Sequence, residues 1–185
     1  MEPPAPIAII GIGCRFSGGA DSPEKLWKVL SEGESTWSPI PAKRWNAAAF
    51  FDANPEKQGM HNTRGGHFVE YDIAAFDAGF WGIPPAECEA MDPQHRLQLE
   101  MVYEALENAG ITRQEVEGSN TAVYIATFSE DYKAIQQKDI NDIPRYNTIG
   151  TGTSIAANRI SYQLDLRGPS VTLGESSDLI CQVLH

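Results

Sequence analysis

Basic residues are scarce in this sequence. Lys and Arg number 14 against 25 Asp and Glu, so the 185-residue chain has a formal charge of −11 and a pI near 4.7. A chain of that sign repels phosphate backbones and anionic headgroups, which excludes nucleic-acid and membrane-surface binding and leaves the acidity as a solvated surface. Cysteine is scarce too. Cys14, Cys88 and Cys181 are odd in number and widely spaced, which fits neither a disulfide framework nor a zinc site, so reduced thiols are expected. No apolar run approaches the roughly 20 residues that span a bilayer, and Met1 to Pro6 lacks the basic stretch of a secretory signal. A cytoplasmic chain is the expectation.

Apolar residues are not scarce. At 42% of the chain they suffice for a buried core in one domain of ordinary size. Pro6-Ile-Ala-Ile-Ile10 is a continuous apolar run bounded by Pro and Gly and predicts a strand buried on both faces. Ser22 can cap a helix with Pro23 in its first turn, and Leu26, Trp27, Val29 and Leu30 then share one face up to Gly33. Residues 34–66 carry prolines, glycines and two tryptophans without sustained periodicity, which predicts an irregular excursion packed on the domain. Phe76, Phe80, Trp81 and Ile83 extend its apolar character to Pro84-Pro85.

Asp92-Pro93 is a strong helix start, and Leu97, Met101, Val102, Ala105, Leu106 and Ala109 trace a helical stripe that stops at Gly110. A second buried strand is expected over 121–127, a helix over 151–164 carrying Ile155, Ile160 and Leu164, and a third strand over 170–173. Strands alternating with helices give an α/β class. No repeat, low-complexity tract or linker divides the chain.

Gly11-Ile-Gly13 follows the first strand, but the third glycine of a dinucleotide fingerprint would fall on Phe16. Gly150-Thr-Gly-Thr-Ser154 has no lysine to reach a phosphate. No cofactor is implied. Six longer phrases do carry information: Ile7-Ala-Ile-Ile-Gly-Ile-Gly-Cys-Arg-Phe16, Phe76-Asp-Ala-Gly-Phe-Trp-Gly-Ile83, Met91-Asp-Pro-Gln-His-Arg-Leu97, Tyr103-Glu-Ala-Leu-Glu-Asn-Ala-Gly110, Gly152-Thr-Ser-Ile-Ala-Ala-Asn-Arg-Ile-Ser-Tyr162 and Asp165-Leu-Arg-Gly-Pro-Ser-Val-Thr172. Together, in this order, they resemble ketosynthase domains of polyketide synthases. Arg44-Trp45-Asn46 and Arg64-Gly-Gly66 resemble the iterative, reducing fungal type in particular.

The resemblance implies a thiolase-like fold of two similar halves, of which this chain holds the N-terminal one over residues 1–173, with a divergent segment over 174–185. It also implies a cysteine nucleophile at a helix N-terminus, two histidines from the second half, and substrates borne as thioesters on the phosphopantetheine arm of a carrier protein. In the family Asp-Thr-Ala-Cys follows the third strand, whereas here Leu173 leads into Gly174-Glu-Ser-Ser-Asp-Leu-Ile-Cys181. Counted without a gap, the nucleophile position falls on Ser177.

A helix-terminal thiol loses its proton readily, but a serine hydroxyl needs a base, and none is evident. His61, His67 and His95 match neither family histidine and are expected in hydrogen-bonded or surface roles. Cys181 lies about one helical turn beyond the nucleophile position, away from the helix N-terminus, and is expected to be inert. Leu184-His185 coincides with a Leu-His that family members often carry there.

The expectation is therefore a truncated ketosynthase half, inactive alone, with no confident catalytic residue. A different class of reading is an interaction module that pairs with a complementary half, a second copy of the chain or an intact synthase. A third is a residual hydrolase, because Val171-Thr-Leu-Gly-Glu-Ser-Ser-Asp178 resembles an esterase nucleophile elbow with Ser176 as nucleophile, although Asp178 replaces its final glycine. Poor solubility or dependence on a partner follows from half a core. Carrier-protein docking rests on the resemblance alone, and the acidic charge disfavours it. Asp92 and Arg96 are expected to make helix-start and ion-pair contacts, and Gly168 a tight turn.

Overall fold

A computed structural model describes residues 6–174. The chain forms two compact units, Gly13–Asp72 and the residues on either side of it. Neither boundary carries a linker-like composition.

In Gly13–Asp72 the helix α1 (Pro23–Glu32) begins as the sequence dictates. The Ser22 hydroxyl accepts from the Lys25 N–H at 3.3 Å, Pro23 occupies the first turn, and Gly33 closes the helix at φ 64°. Its apolar stripe does not stay together: Leu26 and Val29 are half-buried, but Trp27 and Leu30 face solvent. The excursion that follows holds a short antiparallel pair, β1 (Ser38–Pro39) with β2 (Gly65–Gly66), and a 3₁₀ turn over Ala47–Phe50. A side chain at Gly65 would collide with the Ser38 carbonyl and the Trp37 indole, so the glycine is what lets the two segments close.

The second unit runs α2 (Ala78–Trp81), α3 (Pro85–Ala90), α4 (Pro93–Asn108), α5 (Arg113–Val116), β3 (Val123–Thr127), α6 (Asp131–Gln136), α7 (Asn147–Thr151), α8 (Ile155–Gln163) and β4 (Ser170–Gly174). β3 and β4 are parallel, in register from Val123↔Ser170 to Thr127↔Gly174, and α8 packs against both. Between α8, α4 and the strands lies the core: Trp81, Ile83, Met91, Leu99, Val123, Ala157, Ile160 and Leu164. Gly168 sits at the bend before β4, where a Cβ would run into the carbonyls of Asn120 and Thr121.

Four sequence expectations need correction. Residues 6–10 are not a strand: the segment has no ladder partner among the described residues and is exposed, Ile7 by 97%. β3 is buried on one face only, since Tyr124 is 56% exposed while Val123 and Thr127 are covered. For β3 the cause is that a continuous apolar run signals layers on both faces, and here helices supply one; residues 6–10 are exposed throughout. The buried face of α4 is led by His95 and Leu99, four residues apart, with Val102 and Leu106 beside the core, rather than by the full stripe from Leu97 to Ala109. The segment 151–164 breaks at Gly152, which ends α7, and α8 starts at Ile155.

α7 approaches the end of α3 so closely that a Cβ on Gly150 would overlap the Ala90 carbonyl, and the Asp92 N–H donates to the Gly150 oxygen at 2.8 Å. Gly150→Ala gains helix propensity of about 1 kcal/mol but forces this contact apart. The expected net loss is about 2 kcal/mol, read as a lower urea midpoint with an unchanged slope. An unchanged midpoint would mean that α3 and α7 separate freely.

Candidate functional site

In open α/β sheets, ligands gather beyond the carboxyl ends of the strands, where backbone groups and loops converge. β3 and β4 end side by side at Thr127 and Gly174. Beyond them opens a cavity of about 370 Å³ lined by Thr127, Phe128, Glu130, Thr153 and Gly174.

β4 is placed by hydrogen bonds with the helix it packs on. The Ala157 N–H donates to the Thr172 hydroxyl at 3.2 Å, and the Ser170 hydroxyl donates to Asn158 Oδ1 at 2.9 Å. Small side chains at Ala156 and Ala157 bring α8 close to the strands. Thr127 is 7% exposed, and its hydroxyl has no hydrogen-bond partner among the described residues. A buried, unpaired hydroxyl costs roughly 1–3 kcal/mol, which marks Thr127 as a polar group at the strand ends. Glu130, on the cavity wall, pairs with Lys133 at 3.1 Å.

The sequence-predicted residues fall into two sets. Ser176, Ser177, Cys181 and His185 lie outside the described residues, although β4 runs to within three positions of Ser177. No histidine is among the residues that line the cavity at the strand ends. His61 places its ring nitrogens 2.8 Å from the Thr63 carbonyl oxygen and 3.2 Å from that of Ala47, and His67 Nδ1 lies 2.8 Å from the Thr36 hydroxyl. His95 is 4% exposed, and burial with the nearby Arg159 charge pulls its pKa down to about 4.

Asp92 caps α4 by accepting from the Gln94 N–H at 2.8 Å, and burial raises its pKa despite that bond. The expected ion pair with Arg96 is absent among the described residues, and Arg96 Nε is buried without a partner there. The buried ion pair lies elsewhere: Arg159 donates to Glu87 at 2.6 Å and to the Ile149 carbonyl at 2.8 Å. The described residues include no group of three or more His, Cys, Asp or Glu able to hold a metal ion.

Thr127 and Thr153 escaped the sequence reading. The available signal was positional, since Thr127 is the last residue of the strand that pairs with β4.

Comparison with known proteins identifies the setting. Residues 5–175 match the model of the β-ketoacyl synthase N-terminal domain. The chain is 53% identical over 174 residues to the highly reducing polyketide synthase sdnO of Sordaria araneosa, covering 94% of this chain and 6% of that protein. It is 48% identical over 181 residues to the highly reducing polyketide synthase azaB of Aspergillus niger, covering 98% and 7%. The chain thus spans a small fraction of the length of the curated relatives it matches.

Among solved structures, the oxazolomycin ketosynthase domain OzmH KS7 of Streptomyces albus JA3453 superposes with a TM-score of 0.79 at 29% identity, over 90% of this chain and 28% of that one. The ketosynthase from module 6 of the bacillaene synthase of Bacillus subtilis 168 gives a TM-score of 0.77 at 30% identity, over 96% and 28%. The α/β fold is that of the N-terminal part of a thiolase-like ketosynthase. The chain belongs to the β-ketoacyl synthase family, and residues 5–175 are its N-terminal domain.

Proposed function

We propose that this domain is the first half of a ketosynthase of the highly reducing polyketide type, and that the 185-residue polypeptide by itself does not condense acyl chains. The ancestral reaction transfers an acyl group from a carrier thioester to a cysteine thiolate, expelling the carrier thiol. Malonyl thioester then loses CO2, and the resulting enolate attacks the acyl carbonyl to give a β-ketoacyl thioester and the free cysteine.

The observation that carries the reading is the delivery of β4 to the open end of the parallel pair, beside the 370 Å³ cavity, three residues before the nucleophile position. In this chain that position holds Ser177. A hydroxyl there needs a base, and no histidine is among the residues that line the cavity at the strand ends. Carrier-borne thioesters are the proposed substrates, with no resident cofactor. The bare face of β3 at Tyr124 and the exposed Ile7, Ile9 and Ile10 support a further protein layer over this unit, a complementary half or a second copy. Residues 174–185 form the divergent segment of this reading.

The test incubates the purified chain with an acyl N-acetylcysteamine thioester and malonyl thioester. Intact mass is expected to show no acyl adduct, and no β-ketoacyl product or CO2 should form. Condensation product from the chain alone would overturn the proposed inactivity, and fluorophosphonate labelling at Ser176 or Ser177 would favour hydrolysis instead. Ser177→Cys is expected to add one acyl adduct mapping to position 177 without any condensation, because the thiol restores the acceptor and nothing else.

A further inference from the structure

The charge of this protein is unevenly distributed. Gly13–Asp72 contains seven Lys and Arg against eight Asp and Glu, a net of −1, so nearly all of the −11 belongs to the other unit. Within residues 43–64 the balance reverses, with Lys43, Arg44, Lys57 and Arg64 against Asp52 and Glu56. Three aromatic rings lie in the same stretch. Trp45 stacks on Phe50 at 5.9 Å and lies 4.7 Å from the His61 ring, which meets Phe51 edge-on at 6.1 Å.

Beside these rings opens a cavity of about 270 Å³, lined by Ala47, Ala48, Phe51, His61, Thr63 and Arg64. Its frame is backbone. The His61 N–H donates to the Phe50 carbonyl at 2.9 Å, and the Asp52 N–H to the His61 carbonyl at 3.0 Å. The His61 ring is held between the Thr63 and Ala47 carbonyls, which ties the 3₁₀ turn to the returning segment. The space is therefore built by main-chain hydrogen bonds rather than left by loose side chains. A cavity of roughly 150 Å³ already admits a benzene ring, so this one has room for a small apolar group.

The cation on its wall is uncommitted. Lys57 pairs with Asp52 at 2.6 Å and Arg44 reaches the Val69 carbonyl, but the Arg64 side chain has no ion pair or hydrogen bond among the described residues. One face of its guanidinium lies over the Phe51 ring, 4.5 Å from the centroid. A guanidinium held over a ring keeps its N–H edge for other partners, and that edge takes a carboxylate or phosphate through two parallel hydrogen bonds.

We propose that this cavity binds a small organic anion, a carboxylate or phosphate monoester on an apolar group of about benzene size, with the apolar group against Ala48 and Phe51 and the anionic head on Arg64. The site lies wholly within Gly13–Asp72 and does not depend on chemistry at the strand ends.

Calorimetric titration of the 185-residue chain with benzoate and with phenyl phosphate tests it, with benzyl alcohol and inorganic phosphate as partial ligands. One saturable site is expected for each of the first two, and binding at least tenfold weaker for benzyl alcohol and inorganic phosphate. The tighter of benzoate and phenyl phosphate identifies which head group the site prefers.

Arg64→Gln, at an exposed position, should weaken both anions at least tenfold, Arg64→Lys less, and Ala48→Leu should abolish binding by filling the cavity. Far-UV circular dichroism confirms that each variant is folded. The proposal is overturned if Arg64→Gln binds like the parent, if inorganic phosphate binds as tightly as phenyl phosphate, or if neither benzoate nor phenyl phosphate saturates.

Discussion

Glu87→Gln is expected to destabilise the protein by about 3–5 kcal/mol, a loss comparable with the whole net stability of many domains. The Arg159 side chain on α8 is 6% exposed and cannot recover water when its partner is removed. Its Nη1 donates to Glu87 on α3 at 2.6 Å, and its Nη2 to the Ile149 carbonyl on α7 at 2.8 Å. The one side chain therefore clamps three helices. A glutamine of the same shape keeps a hydrogen-bond acceptor but leaves the guanidinium charge buried and uncompensated.

Exchanging both residues, Glu87→Leu with Arg159→Met, removes the charge along with its partner and is expected to cost far less than the single change. What remains is the orphaned Ile149 carbonyl, a loss of about 1 kcal/mol. Urea unfolding of the parent, both single variants and the double variant measures the coupling. Additive losses would show that the pair is solvated and contributes no more than a surface ion pair.

That clamp was not legible in the sequence. Glu87 and Arg159 are 72 positions apart, and neither composition nor periodicity joins them. Local signals fared well: Ser22, Asp92 and Gly33 cap their helices because capping is decided within four residues. The last two strands also stand where apolar runs placed them.

What failed was inference about layers. Pro6 to Ile10 and the outer face of β3 have the composition of a strand covered on both sides, and composition records the environment a segment is suited to. It does not say what this chain can supply to cover it. His95 failed for a related reason, since a periodicity reading follows apolar residues and passes over a polar one that is buried in the first turn of the helix. At the candidate site, the strand that ends beside the cavity was legible from motif order. The lone Thr127 hydroxyl and the Arg64 cavity were not, because each depends on segments brought together by folding.

The buried histidine makes stability depend on pH in a defined direction. Burial and the Arg159 charge lower the pKa of His95 in the folded protein to about 4, against 6.5 for a free imidazole. Between those values the unfolded chain binds a proton that the folded chain refuses, so stability rises with pH through the window. The contribution is complete above pH 6.5, declines as pH falls towards 4, and is gone below. From pH 7.5 to pH 4 it amounts to about 3 kcal/mol.

Asp92 acts in the opposite sense. Burial raises its pKa above 3.8, so its protonation relieves a cost as pH falls through the raised value. The two titrations are separated by comparison with His95→Leu, which keeps Asp92 and places an apolar side chain beside Leu99 in the core. The parent is expected to lose about 3 kcal/mol more than His95→Leu between pH 7.5 and pH 4, measured by urea unfolding at each pH. Equal losses would mean that the folded protein accepts an imidazolium at position 95, and that the end of α4 opens to water on acidification.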